Sequence, residues 1–270
     1  MDLYHAELLL LCFFHSYLCV EMDRTSNGKH MSNSKITSID KEFSLRYAAI
    51  IAGIGLLVMA IIAPIANFAI LQELVAPENT AETVNNIKTS EGSFRLAILL
   101  FLAVAILDIV VAWGLYIFLK PVNNSLSMLT AWFRIIYAAM LGVITIFLVQ
   151  VLILLNGVEL QSAIESADFD ARIMMLLQTF NLGWEFSLII FGAHLMLLGY
   201  LVFRAGYLRN VLGILLMVAA AGYIIDGAGR VLSPVYDITV SVYTFIGEVI
   251  LIFWLLIKGG REGKVSNFQE

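Results

Sequence analysis

From residue 46 onward the chain alternates long apolar runs with short polar breaks. The runs are each long enough for the roughly 20 residues that a helix needs to cross a bilayer. Six such runs, at about 47–71, 95–118, 127–155, 183–203, 209–228 and 238–257, predict an all-α membrane protein with a bundle of six transmembrane helices over 46–260. Turn-forming breaks such as Lys120-Pro121-Val122-Asn123-Asn124 and Ser233-Pro234 separate them. Two connections are longer, 73–93 and 156–180, and both are acidic. The second is expected to carry a short interfacial helix at 172–177, apolar but too short to cross by itself.

Residues 1–45 are expected to be a disordered tail and 261–270 a second, cytoplasmic one. The apolar run at 6–20 is too short to span comfortably, and it lacks the basic flank of a secretory signal. Met31-Ser32-Asn33-Ser34-Lys35 would make an ordinary start, so residues 1–30 read either as part of the tail or as an over-extended start.

Composition removes the soluble classes. Apolar residues make up 60% and charged residues 14%, with mean hydropathy +0.90, against about 45–50% and about 25% in soluble domains. The bilayer is thus the expected partner. The net charge of −5 comes without a basic run, which excludes a nucleic-acid surface. Cys12 and Cys19 lie outside the spans, leaving no cysteine metal site or disulfide framework there. No cofactor is implied, and the oligomeric state is not readable.

Basic residues near span ends set the orientation. Eleven fall on the side of the termini, and Lys88, Arg95, Arg172 and Arg230 fall on the other. Both termini are therefore expected in the cytoplasm, with the protein in the plasma membrane.

Ionisable groups within spans cost at least about 2.5–3.5 kcal/mol on insertion scales, so they should pair or face a hydrated interior. Asp108 and Arg134 lie at matching depths, about 15 Å and about 10–13 Å from the same end of consecutive spans, and are expected to pair. His194 and Glu248 each sit near a midplane. Glu248 shares a helix face with Ser241, Thr244 and Gly247, and Arg134 shares one with Thr130, Tyr137 and Thr145. Asp108, Arg134, His194 and Glu248 therefore form a candidate polar midplane. Interhelical hydrogen bonding alone would account for the same pattern.

Glu91, Arg95, Glu185, Asp226 and Arg230 belong to an outer boundary layer. Glu185 lies on the face carrying Gly192 and Gly199, a ladder suited to close helix packing, and is expected to reach the headgroups. Asp226 and Arg230, four residues apart, are expected to pair within one helix. Pro64 with Asn67 marks a candidate kink in the first span. There is no phosphate-binding loop, nucleophile elbow or His-Glu-x-x-His, and His194 is the one histidine of the spans, so a multi-histidine metal site is not expected.

Several stretches resemble a bacterial membrane family known as domain of unknown function 4386. They are Glu91-Gly92-Ser93-Phe94-Arg95-Leu96, Lys120-Pro121-Val122-Asn123-Asn124-Ser125-Leu126 with Phe133-Arg134, Phe191-Gly192-Ala193-His194-Leu195 through Leu198-Gly199-Tyr200-Leu201, Gly222-Tyr223-Ile224-Ile225-Asp226, and Gly247-Glu248 with Trp254-Leu255-Leu256-Ile257-Lys258-Gly259. The resemblance covers about residues 46–260 and implies a polytopic bacterial protein without an assigned activity. Three functions stay open: binding or transport of a small molecule or proton at the polar midplane, a non-catalytic partner or structural role, and an intramembrane lipid-modifying enzyme with Glu248 or Asp108 as base and His194 as acid. No residue is assigned a catalytic role.

Overall fold

The structure, a computed structural model, describes residues 34–157, 166–205, 210–233, 235–236 and 238–259. Residues 1–33 of the expected tail at 1–45, and the expected tail at 261–270, lie outside them. The chain divides into two units, Met1–Asp40 and Lys41–Glu270. Of the first, 34–40 is described and is helical.

Among the described residues the structure is helical throughout and contains no strand. Helix α1 (Ser34–Pro64) continues into a π-helical stretch, Ile65–Leu71, and a final turn, Gln72–Leu74. The helices α2 (Thr80–Thr89), α3 (Glu91–Leu119), α4 (Asn124–Asn156), α5 (Ser166–Arg204) and α6 (Asn210–Leu232) follow, then α7 (Ser241–Thr244) and α8 (Ile246–Ile257). Five stretches, Leu45–Leu74, α3, α4, Asp168–Arg204 and α6, are long and apolar enough to cross a membrane. These helices make a multi-pass membrane protein. Large side chains such as Leu99, Ile106, Val143, Ile146 and Ile153 stay exposed, as lipid contact requires.

The predicted sixth span at 238–257 takes the form of a shorter helical stretch, Ser241–Ile257. α7 and α8 meet at Phe245, and the whole stretch Ser241–Ile257 is shorter than the five long ones. The Asp226 carboxylate accepts the backbone N–H groups of Val240 (2.8 Å) and Ser241 (2.7 Å), which fixes where the helical stretch begins. The expected interfacial helix at 172–177 is not separate, because α5 runs without interruption from Ser166. α2 forms inside the expected 73–93 loop. Asn79 caps it by accepting from Glu82 N–H at 3.1 Å, and the Asn79 side-chain amide donates to the Glu82 carboxylate at 3.2 Å. The first helix starts at Ser34, within the stretch expected as tail.

At Pro64 the expected kink takes the form of a change of helix type. Proline offers no N–H to the preceding turn, and the chain beyond it adopts i→i+5 bonding, with Gln72 N–H reaching Asn67 C=O. Between α3 and α4, Asn123 caps α4 by accepting from Leu126 N–H at 2.9 Å.

α5 packs against both α4 and α6, and α3 against α4. The α5–α6 crossing depends on glycine. A Cβ on Gly199 would lie 2.8 Å from Gly213 C=O, and one on Gly213 would lie 2.7 Å from Gly199 C=O. A Cβ on Gly192 would approach Ala220 C=O at 3.0 Å, so the seven-residue ladder does face α6. α1 closes against the far end of the chain: the Arg46 guanidinium donates to the carbonyls of Leu255 (3.2 Å), Leu256 (2.7 Å) and Gly259 (2.7 Å), capping α8.

Candidate functional site: a polar layer in the helix bundle

At about 1.5 Å per residue, Asp108, Arg134, His194 and Glu248 each lie roughly 13–17 Å from the same end of their helices. They come from α3, α4, α5 and α8 and share one layer. Arg134 is its hub. Nη2 lies 2.6 Å from Asp108 Oδ1, and both side chains are 3% exposed. Nη1 donates to His194 Nε2 at 3.2 Å. His194 Nδ1 lies 2.8 Å from Thr130 C=O, which can only accept. Nδ1 therefore carries the proton and Nε2 presents its lone pair to Arg134, which defines a neutral tautomer. Arg134 Nε is fully buried and has no hydrogen-bond partner among the described residues.

The remaining candidate is differently placed. Glu248 is half-buried and accepts from the Tyr223 hydroxyl at 2.9 Å. Among the described residues no ion pair involves it. Arg134 and Asp108 are near enough to act on it electrostatically, as are Tyr223 and Tyr137 on the opposing helices. Phe191 packs against both halves of the layer. Its ring lies 4.9 Å from Tyr137, 5.3 Å from Tyr223 and 5.8 Å from His194, and the Arg134 guanidinium carbon sits 5.4 Å from its centroid. Towards one end, Phe101, Phe180 and Trp184 stack edge to face; towards the other, Phe118 meets Trp254 at 5.9 Å. Polar groups are thus confined between two aromatic contacts.

The layer does not bring His194 and Glu248 into a direct bond. Both His194 ring nitrogens are engaged elsewhere, by Arg134 and Thr130 C=O. Thr130 and Thr145 bond back to the carbonyls of Leu126 and Leu141, so those hydroxyls are satisfied within α4. Tyr223 and Phe191, absent from the sequence candidates, complete the site. Tyr223 sits one turn from Asp226, and that spacing was the signal available in the sequence.

Two boundary expectations change. Glu185 does not simply reach for headgroups; its Oε2 lies 2.7 Å from Arg230 Nε on α6. Asp226 does not pair with Arg230 either. Its carboxylate takes the Tyr236 hydroxyl at 2.8 Å and the two backbone N–H groups that start α7, while Arg230 also donates to Thr239 at 3.3 Å. The backbone N–H groups at the start of α7, which have no carbonyl one turn earlier to pair with, take the carboxylate in place of the i+4 partner. Glu91 and Arg95 form an i,i+4 pair on α3, joined by the Asn156 amide at 3.2 Å.

A family model described as "Domain of unknown function (DUF4386)" matches residues 51–259. The chain belongs to this family. The match contains the whole polar layer, Asp108, Arg134, His194, Tyr223 and Glu248. An uncharacterized protein of Archaeoglobus fulgidus is 38% identical over 164 residues, covering 61% of this chain and 84% of the relative. No solved structure matches the chain.

Proposed function

We propose that this family member is a plasma-membrane protein of six spans, both termini cytoplasmic, that binds and conducts a proton at Glu248. One observation carries the reading: Glu248 is a half-buried carboxylate in the polar layer with a hydroxyl partner and, among the described residues, no ion-pair partner. The charge of Arg134 is already claimed by Asp108 at 2.6 Å. An ionised carboxylate at that depth needs compensation, and a proton supplies it within a site whose groups already touch. The Asp108–Arg134–His194 chain then acts as a fixed clamp on three helices, holding a constant field beside a carboxylate that changes charge.

The test is proton flux into dye-loaded proteoliposomes under an imposed gradient. Wild type is expected to exceed protein-free liposomes by tenfold or more, with Glu248→Gln at background and Glu248→Asp retaining part of the rate. An undiminished Glu248→Gln rate, or a wild-type rate equal to background, refutes the reading and leaves the purely architectural role.

A second reading, binding of a small polar solute, is favoured by the unpartnered Arg134 Nε–H. A buried donor without an acceptor costs about 1–3 kcal/mol, and a solute oxygen would recover it. Thermal stabilisation of wild type, and not of Arg134→Lys, by a panel of small carboxylates checks this.

A further inference from the structure

Where α4 ends and α5 begins, a groove of about 280 Å³ lies between the two helices, lined by Gln150, Ile153, Leu154, Arg172, Met175 and Leu176. Its walls are apolar, and Arg172 and Gln150 are its two polar lining residues. Both are exposed, and Arg172 has no ion-pair partner among the described residues.

Depth gives the groove its chemistry. Arg172 lies six residues after Ser166 and Gln150 six before Asn156, each about 9 Å from its helix end. α4, with 33 residues, is about 50 Å long against a hydrocarbon core of about 30 Å. Roughly 10 Å at each end therefore stands in the headgroup region, and the two polar groups lie at its inner edge. Side chains lean towards the N-terminus of their helix. Arg172 on α5 consequently rises away from the bilayer centre, whereas Ile153 and Leu154 on α4 lean towards it.

One turn further out on α5 stands Asp168, also exposed. At i,i+4 spacing, Asp168 and Arg172 are neighbours about 6 Å apart, yet no ion pair links them. Passing outward along α5, Met175 and Leu176 thus offer an apolar wall, Arg172 a cation, and Asp168, just beyond the lining of the groove, an anion. That is the complement of a glycerolipid with acyl chain, phosphate and terminal ammonium in this order.

We propose that the groove is a binding site for a phospholipid with a primary-amine headgroup, of the phosphatidylethanolamine class. The Arg172 guanidinium holds the phosphate. Gln150 donates to an ester or phosphate oxygen. Asp168 accepts from the ammonium, a bond that a trimethylated headgroup cannot make. One acyl chain lies along Met175 and Leu176. The site is independent of Glu248, on different helix ends and different chemistry.

Native mass spectrometry of the purified full chain, supplied with phosphatidylethanolamine, phosphatidylcholine and phosphatidylglycerol of matched acyl chains, tests this. Phosphatidylethanolamine adducts are expected to outlast both others at least fivefold. Arg172→Gln should remove retention of all three, Asp168→Asn should reduce phosphatidylethanolamine to the phosphatidylcholine level, and Met175→Trp should fill the groove and displace the lipid. Arg95→Gln, a basic residue at the same end outside the groove, should change nothing. Equal retention of the three lipids, a preference for phosphatidylglycerol, or unchanged retention in Arg172→Gln overturns the proposal. All these positions are exposed, so melting temperatures close to wild type should accompany each variant.

Discussion

Arg134 ties three helices of the interior together, because one guanidinium engages Asp108 on α3 and His194 on α5 from its own place on α4. Asp108→Asn leaves that guanidinium buried without its counter-charge. Breaking one partner of a buried pair costs about 3–5 kcal/mol. The variant should melt well below wild type, and Asp108→Asn combined with Arg134→Gln should recover a large part of the loss. A double variant no more stable than the worse single one would show that the pair is not the unit of stability. His194→Phe fills a similar volume yet removes an acceptor from Arg134 and a donor from Thr130 C=O. It is expected to cost about 1–3 kcal/mol through the groups left unsatisfied, measurable in the same melts. Glu248→Gln keeps the bond from Tyr223 and removes a charge, so its melting temperature should stay level or rise.

Among the elements, α5 and α6 depend on a crossing that no side chain larger than hydrogen permits. Gly199→Leu would drive a side chain into the backbone of α6, where an added Cβ already meets Gly213 C=O at 2.8 Å and Met217 N–H at 2.9 Å. Loss of monodisperse protein after solubilisation is the expected outcome; a Gly199→Leu variant with wild-type elution and melting would mean that the helices do not cross there. The Gly192–Gly199 spacing made this packing face visible in the sequence. Five long helices were equally legible, because uninterrupted apolar runs have few alternatives in lipid.

Less could be read where backbone groups choose their partners in three dimensions. The junction at Phe245 has no proline or polar run to mark it, and it follows a start position that Asp226 fixes from another helix. Helix α2 is polar, so its Asn79 cap was masked by the reading of 73–93 as a loop. In the polar layer, equal depth along consecutive helices made the Asp108–Arg134 contact derivable. The bonds from Arg134 to His194 and from Tyr223 to Glu248 depend on helix rotation, which spacing along one chain does not determine.

At the scale of the molecule, α1 and α8 bring the two ends of the bundle together through Arg46 and the last carbonyls of α8. Arg46→Met should speed amide exchange over the final turn of α8 without disturbing α4 or α5. Unchanged protection there would show that the cap contributes nothing to the closure. The polar layer lies inside this closed arrangement, between the Phe118–Trp254 contact and the Phe101–Phe180–Trp184 cluster. In the proposed function a fixed Asp108–Arg134 field stands beside Glu248, whose charge varies.

That claim is tested most directly by infrared difference spectroscopy of the membrane-reconstituted protein through a pH step. The account predicts a protonated-carboxyl band that appears on acidification, shifts when Tyr223 is replaced by Phe, and is missing in Glu248→Gln. A band that persists in Glu248→Gln, or no carboxyl band in wild type at any pH at which the protein stays folded, would contradict it.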